Sequence, residues 1–189
     1  MRTQHNTEEK EKTSPETVTF RIEHDALIEL REESKLKMES LNILINQILK
    51  FYIEWNRPSL KAGNIPFSKR LLTRIFDILN DEQIDKMAQD YVKYEFKEQM
   101  WMLKRKYTLQ SFIEAFCDWC EASGFPYIYD KTNDADIYIL RFDMGSKWSV
   151  FYGKHMQYIL QDLEVEDSEI EVTNNTVIFK IQRQARKKS

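Results

Sequence analysis

Residues Thr17-Val18-Thr19-Phe20-Arg21-Ile22 alternate strictly between apolar and polar. In an extended chain successive side chains point to opposite faces, so Val18, Phe20 and Ile22 share one face and Thr17, Thr19 and Arg21 the other. A lone strand of this length is unstable and must pair. No other strand-like run occurs before about Tyr127. The nearest partner is therefore the same segment of a second copy. Two such segments give an antiparallel ribbon with an apolar underside and a polar top, and a two-stranded ribbon fits the DNA major groove.

Two helical patterns follow. The first runs from about Asp25 to Lys37, with Ala26, Leu27, Leu30 and Ser34 on one face. The second runs from about Leu41 to Trp55, with Leu41, Leu44, Ile45, Ile48, Leu49, Tyr52 and Ile53 at helical spacing. Ser40 and Asn42 are good caps for its start. This second helix is apolar over more than one stripe. About 40 residues cannot bury that much surface alone, which again points to a homodimer.

Strand, helix, short turn and helix, in this order and length, resemble the ribbon-helix-helix family of DNA-binding regulators, of the Arc, MetJ and CopG type. The resemblance covers Thr17 to about Trp55. It implies that Thr17, Thr19 and Arg21 of two chains contact base edges of double-stranded DNA. It also implies that Ser40 and Asn42, at the start of the second helix, contact or position a phosphate. Val18, Phe20, Ile22, Leu27, Leu30, Leu44, Ile45 and Ile48 become the dimer core. Met38 and Glu39 stand where the family often has a glycine and an apolar residue. Residues 17–55 carry five basic and seven acidic side chains, a formal charge of −2. Affinity for phosphates then depends on local placement rather than net charge. Arg21 is the strongest candidate reader, because arginine is the commonest partner of guanine.

The remainder divides by composition. Residues 1–16 are polar and without period, and read as a disordered arm. Pro58, Gly63 and Pro66 mark residues 56–67 as a linker. Ser68 caps a helix to about Leu79, and Asn80 with Gln83 forms a capping box for a helix that continues through Leu103. The basic triplet Lys104-Arg105-Lys106 suits that helix's C-terminal end. Thr108 caps a helix over Leu109–Ser123, which Gly124 can end. Strands are expected at about Pro126–Asp130 and Asp136–Phe142, then a Ser146-capped helix to Leu163. A hairpin over Glu169–Thr173 and Thr176–Gln182 turns at Asn174-Asn175, where asparagine tolerates left-handed backbone. The expected fold is α+β: the N-terminal unit, then helices and an α-β-β-α-β-β domain over residues 68–182 with a four-stranded antiparallel sheet and helices on one face. Ribbon-helix-helix units followed by such a domain resemble archaeal regulators. Residues 183–189 read as a basic tail.

Few chemical motifs are present. The formal charge is −3 over 189 residues, so no global basic field recruits nucleic acid. No secretory signal or run of about 20 apolar residues is found, which excludes a membrane span and, with two cysteines, suggests a reducing cytoplasm. Cys117-Asp118-Trp119-Cys120 has C-x-x-C spacing, but it sits mid-helix and lacks a second ligand pair, so it reads as core packing rather than zinc; two copies pooling their pairs is the remote alternative. His155, on an apolar stripe, reads as a satisfied core or edge histidine. Asp143-Met144-Gly145-Ser146 reads as a plain helix start. Glycine-rich phosphate loops, nucleophile elbows and H-E-x-x-H are absent from the sequence, so neither a cofactor nor enzymatic activity is expected. The expectation is a cytoplasmic, DNA-binding transcription regulator acting as a homodimer. The alternatives are an antitoxin-like protein-interaction module, or a ligand sensor that the N-terminal unit merely dimerises.

Overall fold

The computed structural model describes residues 16–183. The expected arm at residues 1–16 and basic tail at residues 183–189 therefore lie outside the described residues, apart from Glu16 and Arg183. The chain divides into two compact units, residues 1–47 and residues 48–189.

In the first unit residues 16–23 form neither helix nor strand. Helix α1 spans His24–Leu36. It ends without glycine: Met38 takes a left-handed φ of 53°, and the Glu39 N–H returns to the Ser34 carbonyl at 3.0 Å, a helix-ending bond that glycine usually permits. Helix α2 spans Leu41–Phe51, and the division between the units falls within it. Ser40 caps it, its Oγ accepting from the Ile43 N–H at 3.2 Å.

In the second unit α2 passes into a wide π turn at Tyr52–Asn56 and then α3, Arg57–Lys61. The helical path thus runs through Pro58, where a linker was expected, and stops only at Ala62 and Gly63. The reason is local. The Arg57 N–H reaches back five residues to the Tyr52 carbonyl. That widened turn relieves the clash a proline ring would make with a regular α-helix. Helix α4 (Lys69–Ile78) leads to α5 (Asp81–Tyr91), which starts on the expected Asn80–Gln83 capping box. A second π turn at Val92–Phe96 joins α5 to α6, Lys97–Lys104. Helix α7, Leu109–Ser123, begins on a Thr108–Ser111 box and ends at left-handed Gly124.

The sheet follows: β1 (Tyr127–Lys131), β2 (Ala135–Arg141), helix α8 (Gly145–Asp162), β3 (Ser168–Val172) and β4 (Thr176–Gln182). All pairings are antiparallel, in the order β1-β2-β4-β3. The two helix-plus-hairpin halves thus place β2 against β4 at the centre, a mixed α+β arrangement. Tyr138, Leu140, Val177, Phe179 and Ile181 are buried on one face. Tyr138 stacks on its register partner Phe179 at 4.7 Å, and Phe116 of α7 meets Phe179 edge-on at 5.4 Å. The opposite face carries exposed Ile128 and a Glu169–Lys180 ion pair at 3.3 Å. Helix α8 crosses β3 at Gly153, where an added Cβ would lie 2.4 Å from Val172 Cγ2.

Four local expectations change. Ser68 stands at the N-cap of α4 but makes no side-chain cap hydrogen bond. Ser146 is not the cap of α8, which starts at Gly145 with no side-chain cap of its own. The Gly145 N–H instead donates to Asn175 Oδ1 at 3.2 Å. Among the described residues the non-glycine positions with positive φ are Met38, Arg105 and Glu164, so Asn174 and Asn175 turn the hairpin without left-handed backbone. Their polar groups bolt the hairpin to the start of α8: the Asn175 carbonyl accepts from the Phe142 N–H at 2.7 Å, and the Asn174 carbonyl from Ser149 Oγ at 3.2 Å. Arg183, expected in the tail, ties the end of β4 to β2 at the centre of the sheet. Its guanidinium grips Asp136, with Nε donating to Oδ2 at 2.9 Å, and holds that carboxyl down at a pKa of about 2.

Candidate functional site

The residues expected to read DNA lie in the first unit. Thr17, Thr19 and Arg21 are exposed. Their apolar neighbours are exposed as well, Val18 at 70% and Phe20 at 53%. Ile22, Leu27, Leu30 and Ile45 are half-buried, Ile48 is exposed, and Leu44 is buried at 1% exposure. The expected dimer core is thus only partly covered in the single chain. Of the expected phosphate contacts, Ser40 is occupied in capping α2, while the Asn42 carbonyl accepts from Asn46 Nδ2 at 2.8 Å. Glu39 turns towards α2, its Oε2 accepting from Gln47 Nε2 at 2.8 Å.

A second site lies wholly in the second unit, and sequence reasoning missed it. Helices α5, α6, α7 and α8 line a half-open cavity of about 760 Å³. Both π turns contribute, through Trp55 and Phe96. A π turn shifts the phase of the helix after it, and such turns recur at functional sites. Trp119 of α7 lies flat against Tyr152 of α8, 4.9 Å apart and within 11° of parallel. His155 is stacked on Tyr91 at 5.2 Å and meets Phe96 edge-on at 5.1 Å.

Two nitrogens in this wall have no partner. His155 and Trp148 are 6% and 8% exposed, and neither His155 Nδ1 nor Trp148 Nε1 is hydrogen-bonded. Buried polar atoms are almost always paired, so each orphan needs an explanation. His155 is therefore buried as expected but not satisfied. Burial lowers its pKa from 6.5 to about 3, because a charge there would be stripped of water. The same cause raises Tyr91 to about 12 and Tyr152 well above its ordinary value. The wall is thus uncharged at neutral pH. Charge appears at the mouth, on Lys86, Asp90 and Glu95. There Gln99 accepts from the Tyr91 hydroxyl and donates to Asn64 Oδ1 at 2.8 Å. The one signal in the sequence was the aromatic density at helical spacing in Trp148-x-x-Phe151-Tyr152-x-x-His155, which reads equally well as core.

Other candidates resolve into structure. Cys120 is fully buried and Cys117 partly so, and burial raises both thiols, which disfavours the thiolate. Cys120 cannot reach a second copy without opening the core. Among the described residues no group of three or more His, Cys, Asp or Glu is placed to hold a metal ion. Lys104 pairs with Asp118, and Arg105 takes the left-handed position that ends α6. Among the described residues no helix is long and apolar enough to cross a membrane. Compared with models of known protein families and with curated proteins, the sequence matches none.

Proposed function

We propose that the protein is a homodimeric, sequence-specific DNA-binding transcription regulator of the ribbon-helix-helix type. The observation behind this reading is the exposure of Val18 and Phe20 on an alternating segment that pairs with no strand among the described residues. Ile28 and Ile43 of the same unit are exposed too. Apolar surface gathered in this way signals an interface, and a second copy of the same segment covers it with matching chemistry. In the resulting ribbon Thr17, Thr19 and Arg21 of both copies face the major groove, and their hydrogen bonds to base edges set sequence. The first turn of α2, with no acidic residue in it, offers backbone N–H groups to a phosphate and fixes register.

The test is selection of duplexes from a random pool by the full-length protein, followed by titration of the selected site. Arg21→Ala is expected to lose about 1–3 kcal/mol of base discrimination. With a local charge of −2, few phosphates are neutralised, so the salt dependence should be shallow. Failure to enrich any site, or equal affinity of wild type and variant for it, would overturn the reading. An intact dimer that selects no DNA would leave the first unit as a dimerisation module.

A further inference from the structure

We propose that the cavity between α5, α6, α7 and α8 is a binding site for a neutral, planar aromatic small molecule that carries a hydrogen-bond acceptor. The inference goes beyond the DNA-binding reading and does not depend on it, because every residue lining the cavity belongs to the second unit.

The size fits. About 760 Å³ lies in the range that holds a drug-sized ligand, roughly 300–1,000 Å³. The walls set the shape. Trp119, Tyr152, Phe116 and Phe96 present ring surfaces, which favour a flat π-system by offset stacking or edge contacts. The interior sets the charge. Its histidine and tyrosines are neutral, and an anion inside would meet no cation, since Lys86 stands at the mouth beside Asp90 and Glu95. An ion of either sign would lose its water on entering a wall of neutral rings.

The orphan nitrogens set the polarity. An indole N–H only donates, so a ligand that satisfies Trp148 Nε1 must accept. A neutral imidazole can donate from one nitrogen and accept at the other, so His155 adapts to either group. Both nitrogens are buried behind the wall's surface, so a ligand reaches either one only when its ring turns towards the cavity. An aryl ketone or a heteroaromatic ring meets these requirements together.

The probe for the test is Prodan, a neutral naphthalene bearing a ketone, whose emission moves to the blue in an apolar site. The full-length protein should bind one equivalent saturably, with blue-shifted emission and quenching of tryptophan fluorescence. Trp148→Phe keeps an aromatic ring, though a smaller one, and removes the donor, and should weaken binding roughly tenfold. Met87→Trp places bulk at the mouth on an exposed residue that the fold does not need, and should abolish binding. The anionic naphthalene sulfonate ANS should bind at least roughly tenfold more weakly than Prodan. Absence of saturable Prodan binding would overturn the proposal, as would equal binding by wild type and Met87→Trp, or a preference for ANS. Should Trp148→Phe lose its circular dichroism signal, Met87→Trp and the Prodan–ANS comparison decide the matter.

Discussion

Residues 16–47 and residues 48–183 differ in how much apolar core they build. In the first stretch Val18, Phe20, Leu36, Met38 and Ile43 stand in solvent, although α1 and α2 are regular helices and Ser40 caps the second. In the second, Phe142, Phe179, Met156, Ile159 and Leu160 are essentially excluded from it. Regular backbone and burial are therefore separable. Helical periodicity forms α1 without a side-chain N-cap and α2 with one, but a core needs enough chain to surround it. The second unit builds such a core within one molecule, although Leu60, Ile65, Ile78 and Trp101 stay exposed, whereas among the described residues of the first only Leu44 is a buried hydrophobic side chain. Stability of the second unit should then be a property of one chain, and stability of the first a property of two.

The sharpest way to break this contrast is to damage the self-contained core. Phe179→Ala removes a ring that stacks on Tyr138 and meets Phe116, and should cost about 3–5 kcal/mol, with a melting temperature independent of protein concentration. A concentration-dependent loss would show that the second unit also relies on a partner.

Acid offers a second route. With its folded pKa lowered from 6.5 to about 3, His155 stays neutral in the native state while the unfolded chain takes up a proton. Stability is therefore complete above about pH 6.5 and falls as the pH drops towards 3, by about 2 kcal/mol at pH 5. Denaturant titrations of wild type and His155→Phe at pH 7 and 5 should show the variant losing less. Parallel losses would mean that His155 is not held neutral.

A smaller effect is expected where α8 meets β3. Gly153→Leu puts a side chain where even a Cβ would crowd Val172, and should cost about 1–3 kcal/mol by chemical denaturation. The smallest lies in the first unit and has the opposite sign. Met38 is held at a φ of 53°, so Met38→Gly should stabilise that unit by about 1 kcal/mol, read as slower amide exchange in α1. Unchanged exchange would mean that the α1–α2 turn stores no strain.

Local chemistry was legible in the sequence where one residue acts on its own backbone. The Asn80–Gln83 box, the Thr108 cap and the Gly124 stop each sit where their side chains, or lack of one, satisfy a nearby backbone group. Both hairpins and the antiparallel sheet were legible for the same reason, since alternation and turns are short-range. What escaped depends on distant partners. Pro58 reads as a break, and is tolerated only because the preceding turn widens. Ser146 reads as a cap, yet Asn175, thirty residues on, takes the Gly145 N–H. The cavity left no spacing signature beyond the Trp148–His155 aromatic stripe, which reads equally well as core, because its wall gathers side chains from several helices and two π turns. His155 looked like any core histidine, since no sequence pattern shows whether a buried nitrogen finds a partner.

The dependence of the first unit on a second copy is tested most directly by sedimentation equilibrium of the full-length protein beside Phe20→Asp. The wild type should sediment at twice the 22.8 kDa of the chain, and the variant at the single-chain mass with the helical signal of the second unit intact. A wild type that remains monomeric at micromolar concentration, or a variant that still dimerises, would contradict the account.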